Sequence, residues 1–431
     1  MERSSQAPSR LLLRLALALI DCEVPVATAR RRGQGAHPRP ADAIPEPAWR
    51  RLENLRVRFE SELAFADSFL ADDPPSSRVE MLLVNSSQLR KVAILQRFFE
   101  RAYSFRLQYP KEGLQISDDL IAWTKADPSP LVAVLRGRAL MERGNFLRIL
   151  GEPAGARAAL AEALRELEAE GTGDPLELAR YQELLGTLER DCGHHKAAVD
   201  LLRKALAKVR RWGDNYTLQR VLIATGLTEL YNNNFEQADN LLGEGLRCEE
   251  PDSLFLRYAA INRVMGYFFS GDPHKAYQVF LRVRSCLGAS WLQGFPEASQ
   301  VSVVWREGQI LNALHVDDDA IGLLRKAREG FIRLARGHEV CHISIELALN
   351  YAARQLFDEV RRELAFALPF CSPRRALDKY AREAVLLLLG ALQHQGRLEA
   401  DQVRAVARRL DCIDRAPFQA LSRPPFADLQ L

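Results

Sequence analysis

The sequence lacks most of the short signatures that announce chemistry. It has no phosphate-binding loop, no dinucleotide fingerprint, no Gly-x-Ser-x-Gly elbow and no Cys-x-x-Cys pair. It also lacks an apolar run of about 18 residues, so no membrane-spanning helix is expected. Net charge is small: 59 Lys and Arg against 56 Asp and Glu leave +3, so no global field argues for nucleic acid or an acidic surface. The seven cysteines are odd in number and scattered (Cys22, Cys192, Cys248, Cys286, Cys341, Cys371, Cys412). That usage suggests reduced, packed thiols in a cytoplasmic protein rather than a disulfide framework.

Within the 431 residues, 47% hydrophobic, almost nothing alternates as a strand does. Residues 1–48 form a basic, Pro- and Gly-rich tail. Within it Leu11–Ile20 and the following Ala27-Thr28-Ala29 resemble a secretory signal, but Arg14 and Arg30-Arg31-Arg32 disfavour translocation. Ordered structure is expected from about Trp49, with N-terminal helices over 49–88, helix pairs over 89–412 and a C-terminal tail over 413–431.

Apolar residues recur at helical spacing, and the breaks between them are regular. Six segments superpose without gaps, starting at Gly144, Gly186, Gly226, Val264, Gly308 and Ala348. Each carries a second small residue twelve positions on: Ala156, Ala198, Ala238, Ala276, Ala320 and Val360. A bulky residue follows four later: Leu160, Leu202, Leu242, Phe280, Leu324 and Leu364. Small residues on both helices let two axes approach closely, and the bulky residue fills the space between successive pairs. Turn chemistry agrees: Gly151, Gly193, Gly271 and Asn232–Asn234 suit left-handed positions, and Asp272-Pro273 reads as an N-cap followed by proline at the first helical position. Leu89–Asp127, with Pro110 in its turn, is a degenerate upstream pair, and Ala381–Leu410 a closing one.

This layout resembles the tetratricopeptide repeat, at steps nearer 40 residues than the standard length of about 34. Long-helix repeats of this kind are similar to those of bacterial regulatory proteins. The resemblance implies an all-α fold, a right-handed α-solenoid of stacked antiparallel helix pairs forming a superhelix. The repeat encodes packing rather than a partner.

One motif competes with this reading. His338-Glu339-Val340-Cys341-His342 spells the zincin signature, in which two histidines hold zinc and the glutamate activates a water. In the repeat register His338 falls at a helix entry and His342 in the first turn; no strands flank it and no metzincin extension follows. Glu359 and Glu363, conceivable third ligands, are expected on the solvent face. A zinc-dependent hydrolase therefore ranks third among the functional readings, and no catalytic residue, metal or cofactor is assigned. Cys192-Gly193-His194-His195 lacks a fourth ligand. Asp317-Asp318-Asp319 reads as a helix N-terminus, and the basic run Arg203, Lys204, Lys208, Arg210, Arg211 as a solvated face.

In tetratricopeptide arrays the first helix of each pair lines the concave groove. The resemblance places Arg138, Asn145, Arg148, Arg180 and Arg190 there, followed by Tyr231, Tyr258, Asn262, Phe268, Phe269, Trp305, Arg306 and Gln309. Arginines and aromatics dominate binding hot spots. The expected partner is a protein or peptide segment with acidic residues and an apolar anchor. The carboxylate clamp for chaperone tails is not reproduced, since Met141 and Leu184 stand at clamp positions. The leading reading is a non-enzymatic scaffold or adaptor; the alternative is a sensor module controlling a separate transcriptional or signalling partner.

Overall fold

The computed structural model describes residues 46–105, 109–169, 174–248, 254–288, 290–371, 376–415, 426 and 429. The N-terminal segment resembling a secretory signal lies outside them. The described residues form eighteen α-helices and two short 3-10 turns, with no strand among them. They divide into two compact units, with the boundary between Gly173 and Asp174.

The first unit opens with α1 (Glu46–Ala71) and α2 (Ser76–Val84), then pairs α3 (Gln88–Phe105) with α4 (Pro110–Thr124) and α5 (Pro130–Ile149) with α6 (Pro153–Ala169). Phe59, Leu63 and Ala66 of α1 pack on Val92, Leu95 and Phe98 of α3. At the rim Arg90 meets Glu62 at 2.6 Å and Arg97 meets Asp67 at 2.9 Å. Gly113 has no side chain because the ring of Phe146 lies where its Cβ would be, 2.3 Å from that position.

The second unit continues the pairing: α7 (Pro175–Asp191) with α8 (His195–Trp212), α9 (Asn215–Tyr231) with α10 (Phe235–Leu246), and α11 (Leu254–Phe269) with α12 (Pro273–Leu287). There follow α13 (Glu297–Ala313) with α14 (Asp317–Arg333), α15 (Gly337–Ala353) with α16 (Phe357–Ala367), and α17 (Ala376–Gln395) with α18 (Ala400–Asp414). Successive first helices α7, α9, α11, α13 and α15 are neighbours and form an inner row, and α18 lies along α15.

The small positions set the spacing within each pair. A Cβ at Gly186 would stand 2.9 Å from Leu202 Cγ, one at Gly226 2.8 Å from Leu242 Cγ, and one at Gly308 3.1 Å from Leu324. Gly144 meets Leu160 in the same way, at 2.9 Å, inside the first unit. Ala156, Ala198, Ala238, Ala276, Ala320 and Val360 are all buried opposite them. Each turn is closed by a left-handed residue five positions before that small residue: Gly151, Gly193, Asn233, Gly271, His315 and Gln355, with φ between +60° and +88°. The residue after each donates its N–H back into the preceding helix, as Asp272 does to Tyr267 O at 3.0 Å and Leu356 to Tyr351 O at 2.9 Å. The Asp272 carboxylate caps α12 by accepting from Lys275 N at 2.9 Å, with Pro273 at the first helical position. Asp317-Asp318-Asp319 forms the first turn of α14.

Four expectations are corrected. Cys341 and Cys371 are joined as a disulfide, tying α15 to the segment after α16; the pairing is invisible in a sequence where the two stand 30 residues apart. His342 lies in the second turn of α15, because the helix already begins at Gly337. Glu363 is not on the solvent face: it is buried and ion-paired with Arg328, which stacks on the Phe366 ring at 4.4 Å. The C-terminal segment is not wholly a tail, since Phe426 is buried in the core formed by the last helix pairs and Leu429 packs against it.

Candidate functional site

The zincin-like motif lies on α15, with His338, His342 and Glu346 one turn apart; His342 meets α13 and α18, and Glu346 meets α13. His342 is fully buried; its ring stands 5.1 Å from that of Trp305, and its Nε2 lies 3.5 Å from Asp411 Oδ1 and 3.7 Å from Glu346 Oε1. Trp305 Nε1 donates to Glu346 Oε2 at 2.8 Å, and the Gln309 amide donates to the other carboxylate oxygen. Burial, with Asp411 adding to it, pushes Glu346 up to about 7 against the opposing pull of His342 and the two donors. Glu339, the residue that would activate water in a zincin, pairs with Arg336 at 2.9 Å. A catalytic zinc needs converging ligands and an open position. Here the Trp305 indole and the carboxylates of Glu346 and Asp411 lie against the imidazole, and among the described residues no three His, Cys, Asp or Glu side chains are placed to hold a metal ion. The cluster is a polar core that joins α13, α15 and α18.

The residues expected to line a groove divide between the two units. In the first, Arg138 is half-buried on α5, while Arg148 donates to Asn145 Oδ1 at 3.2 Å and the Asn145 amide stands 3.4 Å from Glu142. In the second, Arg180 meets Glu183 at 3.1 Å and Arg220 meets the same carboxylate at 2.9 Å. Burial alone would raise the Glu183 pKa, but the two guanidiniums outweigh it and hold the carboxyl below its ordinary range. Arg180 is thus engaged in a structural ion pair.

Further along the row Arg190 pairs with Asp191 at 2.8 Å and sits 5.7 Å from the Tyr231 ring. Tyr258 bonds Ser299 Oγ at 3.1 Å, edge-on to Phe295 at 5.3 Å. Asn262, Phe268 and Phe269 are half-buried on α11, the two phenylalanine rings 5.7 Å apart. Trp305 and Gln309, by contrast, are only 3% and 6% exposed, enclosed between α13 and α15; this corrects their expected place on an open face. Arg306 remains half-buried, stacked on Trp305 at 4.4 Å and donating to Gln309 at 2.6 Å. The basic run on α8 is committed in part to neighbours: Arg203 to buried Glu229 and Arg210 to Glu244, both at 2.6 Å.

The structure brings together one group whose full membership sequence reasoning missed. At the C-terminal ends of α7, α9 and α11, Arg190, Tyr231 and Phe269 converge with His195 and with Arg415, the residue just after α18. The Arg415 guanidinium lies 4.2 Å above the Phe269 ring, and its Nη1 is 3.5 Å from Asn233 Oδ1. The repeat register assigns Arg415 to a tail, and nothing local in the sequence places it 182 positions back along the chain.

No family model and no curated protein matches this sequence. Solved structures do. The apo form of the quorum sensor NprR from B. thuringiensis superposes with a TM-score of 0.56 at 14% identity, over 83% of this chain and 99% of that one. A Rap protein complexed with Competence and Sporulation Factor gives 0.53 at 11% identity, over 76% of this chain and 88% of that one. The Rap conjugation gene regulator of the plasmid pLS20, in complex with the Phr* peptide, gives 0.50 at 12%, over 76% and 98%. The fold is a tetratricopeptide-like α-solenoid. At these identities the likeness concerns the fold alone.

Proposed function

We propose that the chain is a non-enzymatic binding module whose inner row of first helices, in the unit beginning at Asp174, holds an extended peptide or protein segment. The observation that carries the reading is the half-buried set of Tyr231, Asn262, Phe268 and Phe269 on adjacent helices α9 and α11, with Arg190 beside it. Aromatic rings offer large contact area at low entropic cost, and an amide can pair with a peptide backbone. Two structures of similar fold were solved with Phr* peptide and with Competence and Sporulation Factor bound, which supports a segment of that kind as ligand. Those neighbours and NprR are named as a regulator, a Rap protein and a quorum sensor, which favours a sensor acting through a separate partner over a passive scaffold. A cytoplasmic, bacterial setting belongs to the same proposal; among the described residues no helix is long and apolar enough to cross a membrane.

Selection of a displayed random-peptide library on the full chain tests the reading. Enriched peptides should bind the wild type and lose about tenfold or more in affinity to a Tyr231→Ala, Phe269→Ala double variant that keeps its helical circular dichroism. Failure to enrich any sequence, or equal binding to the variant, would count against it.

A further inference from the structure

We infer that Arg415, held over Phe269 beside His195 and Arg190, completes a carboxylate-binding corner of the inner row. The inference deepens the peptide-binding reading by naming the chemistry recognised at one end of the ligand.

Three cationic or protonatable side chains converge there from separate elements: Arg190 at the end of α7, His195 at the start of α8, and Arg415 beyond α18. Arg190 is neutralised by Asp191 at 2.8 Å. Arg415 is different. Its polar contact is the Asn233 amide oxygen at 3.5 Å, its Nε is buried without a hydrogen-bond partner, and among the described residues no carboxylate pairs with it. His195 stands edge-on to Tyr231 at 6.4 Å, and its Nδ1 is likewise buried with no partner. Burial first, then the positive charges of Arg190 and Arg415 and the neighbouring His194, lower the His195 pKa against the opposing pull of the Asp191 carboxylate, so both arginines act on this ring. The unpartnered Nε of the Arg415 guanidinium and the unpartnered Nδ1 of His195, a donor in one imidazole tautomer, form a site that an anionic oxygen satisfies. A buried donor left unmade costs about 1–3 kcal/mol, and a bond to a charged group is among the stronger ones. The planar guanidinium suits a carboxylate, and the phenylalanine face beneath it fixes its plane. The carboxylate can come from an acidic side chain or from a peptide C-terminus.

Three fluorescently labelled hexapeptides distinguish the sources by anisotropy on the full chain: hexaglutamate with an amidated C-terminus, hexaglutamine with a free C-terminus, and hexaglutamine amidated. The wild type should bind at least one carboxylate-bearing peptide about tenfold more tightly than the neutral one, with the preference shrinking as salt rises. Arg415→Gln should reduce the preference to about twofold or less, Arg415→Lys should retain part of it, and Arg210→Gln on the exposed face of α8 should leave it intact. Equal binding of all three peptides by wild type, including no binding of any, would overturn the inference, as would a preference that survives in Arg415→Gln. The peptide-binding reading fails separately: library peptides without acidic residues that still require Tyr231 and Phe269 would leave it standing while this corner is refuted.

Discussion

The indole N–H of Trp305 donates to Glu346 at 2.8 Å, so a tryptophan placed by the repeat register on the inner row is a strut between α13 and α15. Glu346 is buried and its pKa is raised to about 7, with burial the largest cause. From about pH 4.5 to 7 the folded chain keeps a proton that the unfolded chain has released, so stability falls as pH rises through this window. The loss is roughly 3 kcal/mol at most, reached above pH 7. Glu346→Gln should flatten the dependence of the urea midpoint on pH between 5 and 8. An unchanged slope in the variant would assign the titration elsewhere.

Gly226 should not tolerate alanine. Helix propensity favours alanine by about 1 kcal/mol, but overpacking against a fixed neighbour costs about 1–3 kcal/mol. The added Cβ would stand 2.8 Å from Leu242 Cγ, in a fully buried side chain. Gly226→Ala is therefore expected to lose about 1 kcal/mol net in denaturant unfolding. Ala348 already occupies the equivalent position of its pair, so Ala348→Gly should lose a similar amount through helix propensity alone. A more stable Gly226→Ala would show that this contact does not set the spacing of α9 and α10.

The turns offer gains. His315 and Gln355 hold φ near +60°, where glycine stands in three of the equivalent turns. A left-handed side-chain residue costs about 1–2 kcal/mol, partly offset by the greater freedom of glycine in the unfolded chain. His315→Gly and Gln355→Gly should each raise stability by roughly 0.5–1 kcal/mol, and Gly271→Ala should lower it by about 1 kcal/mol. Thermal melts of the three variants give the signs directly; a stabilised Gly271→Ala would refute the turn argument.

Alkylation of the denatured, unreduced chain should leave Cys341 and Cys371 unlabelled and label both after reductant, because the two are bonded. Closing a segment of this length contributes about 2–4 kcal/mol, so reductant should lower the melting temperature. Labelling of both without reductant would instead mean two buried thiols donating to Ala367 O and Gly337 O, each 3.5 Å away.

What the sequence discloses and what it conceals follow from the range of the interactions. Gly186, Ala198 and Leu202 act within one helix pair, so their spacing alone shows which helices pack and where each turn falls. Asp272-Pro273 and Asp317–Asp319 announce helix starts for the same local reason. Phe268 and Phe269 are half-buried on α11, whereas Trp305 and Gln309, expected on the same row, are enclosed. Those two are enclosed where α13, α15 and α18 meet, a junction set by distant contacts rather than by the repeat. The spacing of His338 and His342 marks one helix face; its meaning as a polar core depends on Glu346, Asp411 and Trp305, and no local pattern ties the last two to it. Arg415 is concealed for the same reason, since its contacts with Asn233 and Phe269 span most of the second unit's sequence.

The most direct measurement is hydrogen–deuterium exchange of the full chain with and without a saturating library-selected peptide. Slowed exchange is expected to concentrate in the C-terminal halves of α7, α9 and α11 and at the end of α18. Protection confined to α1–α4, or to the outer helices α8, α10 and α12, would contradict it.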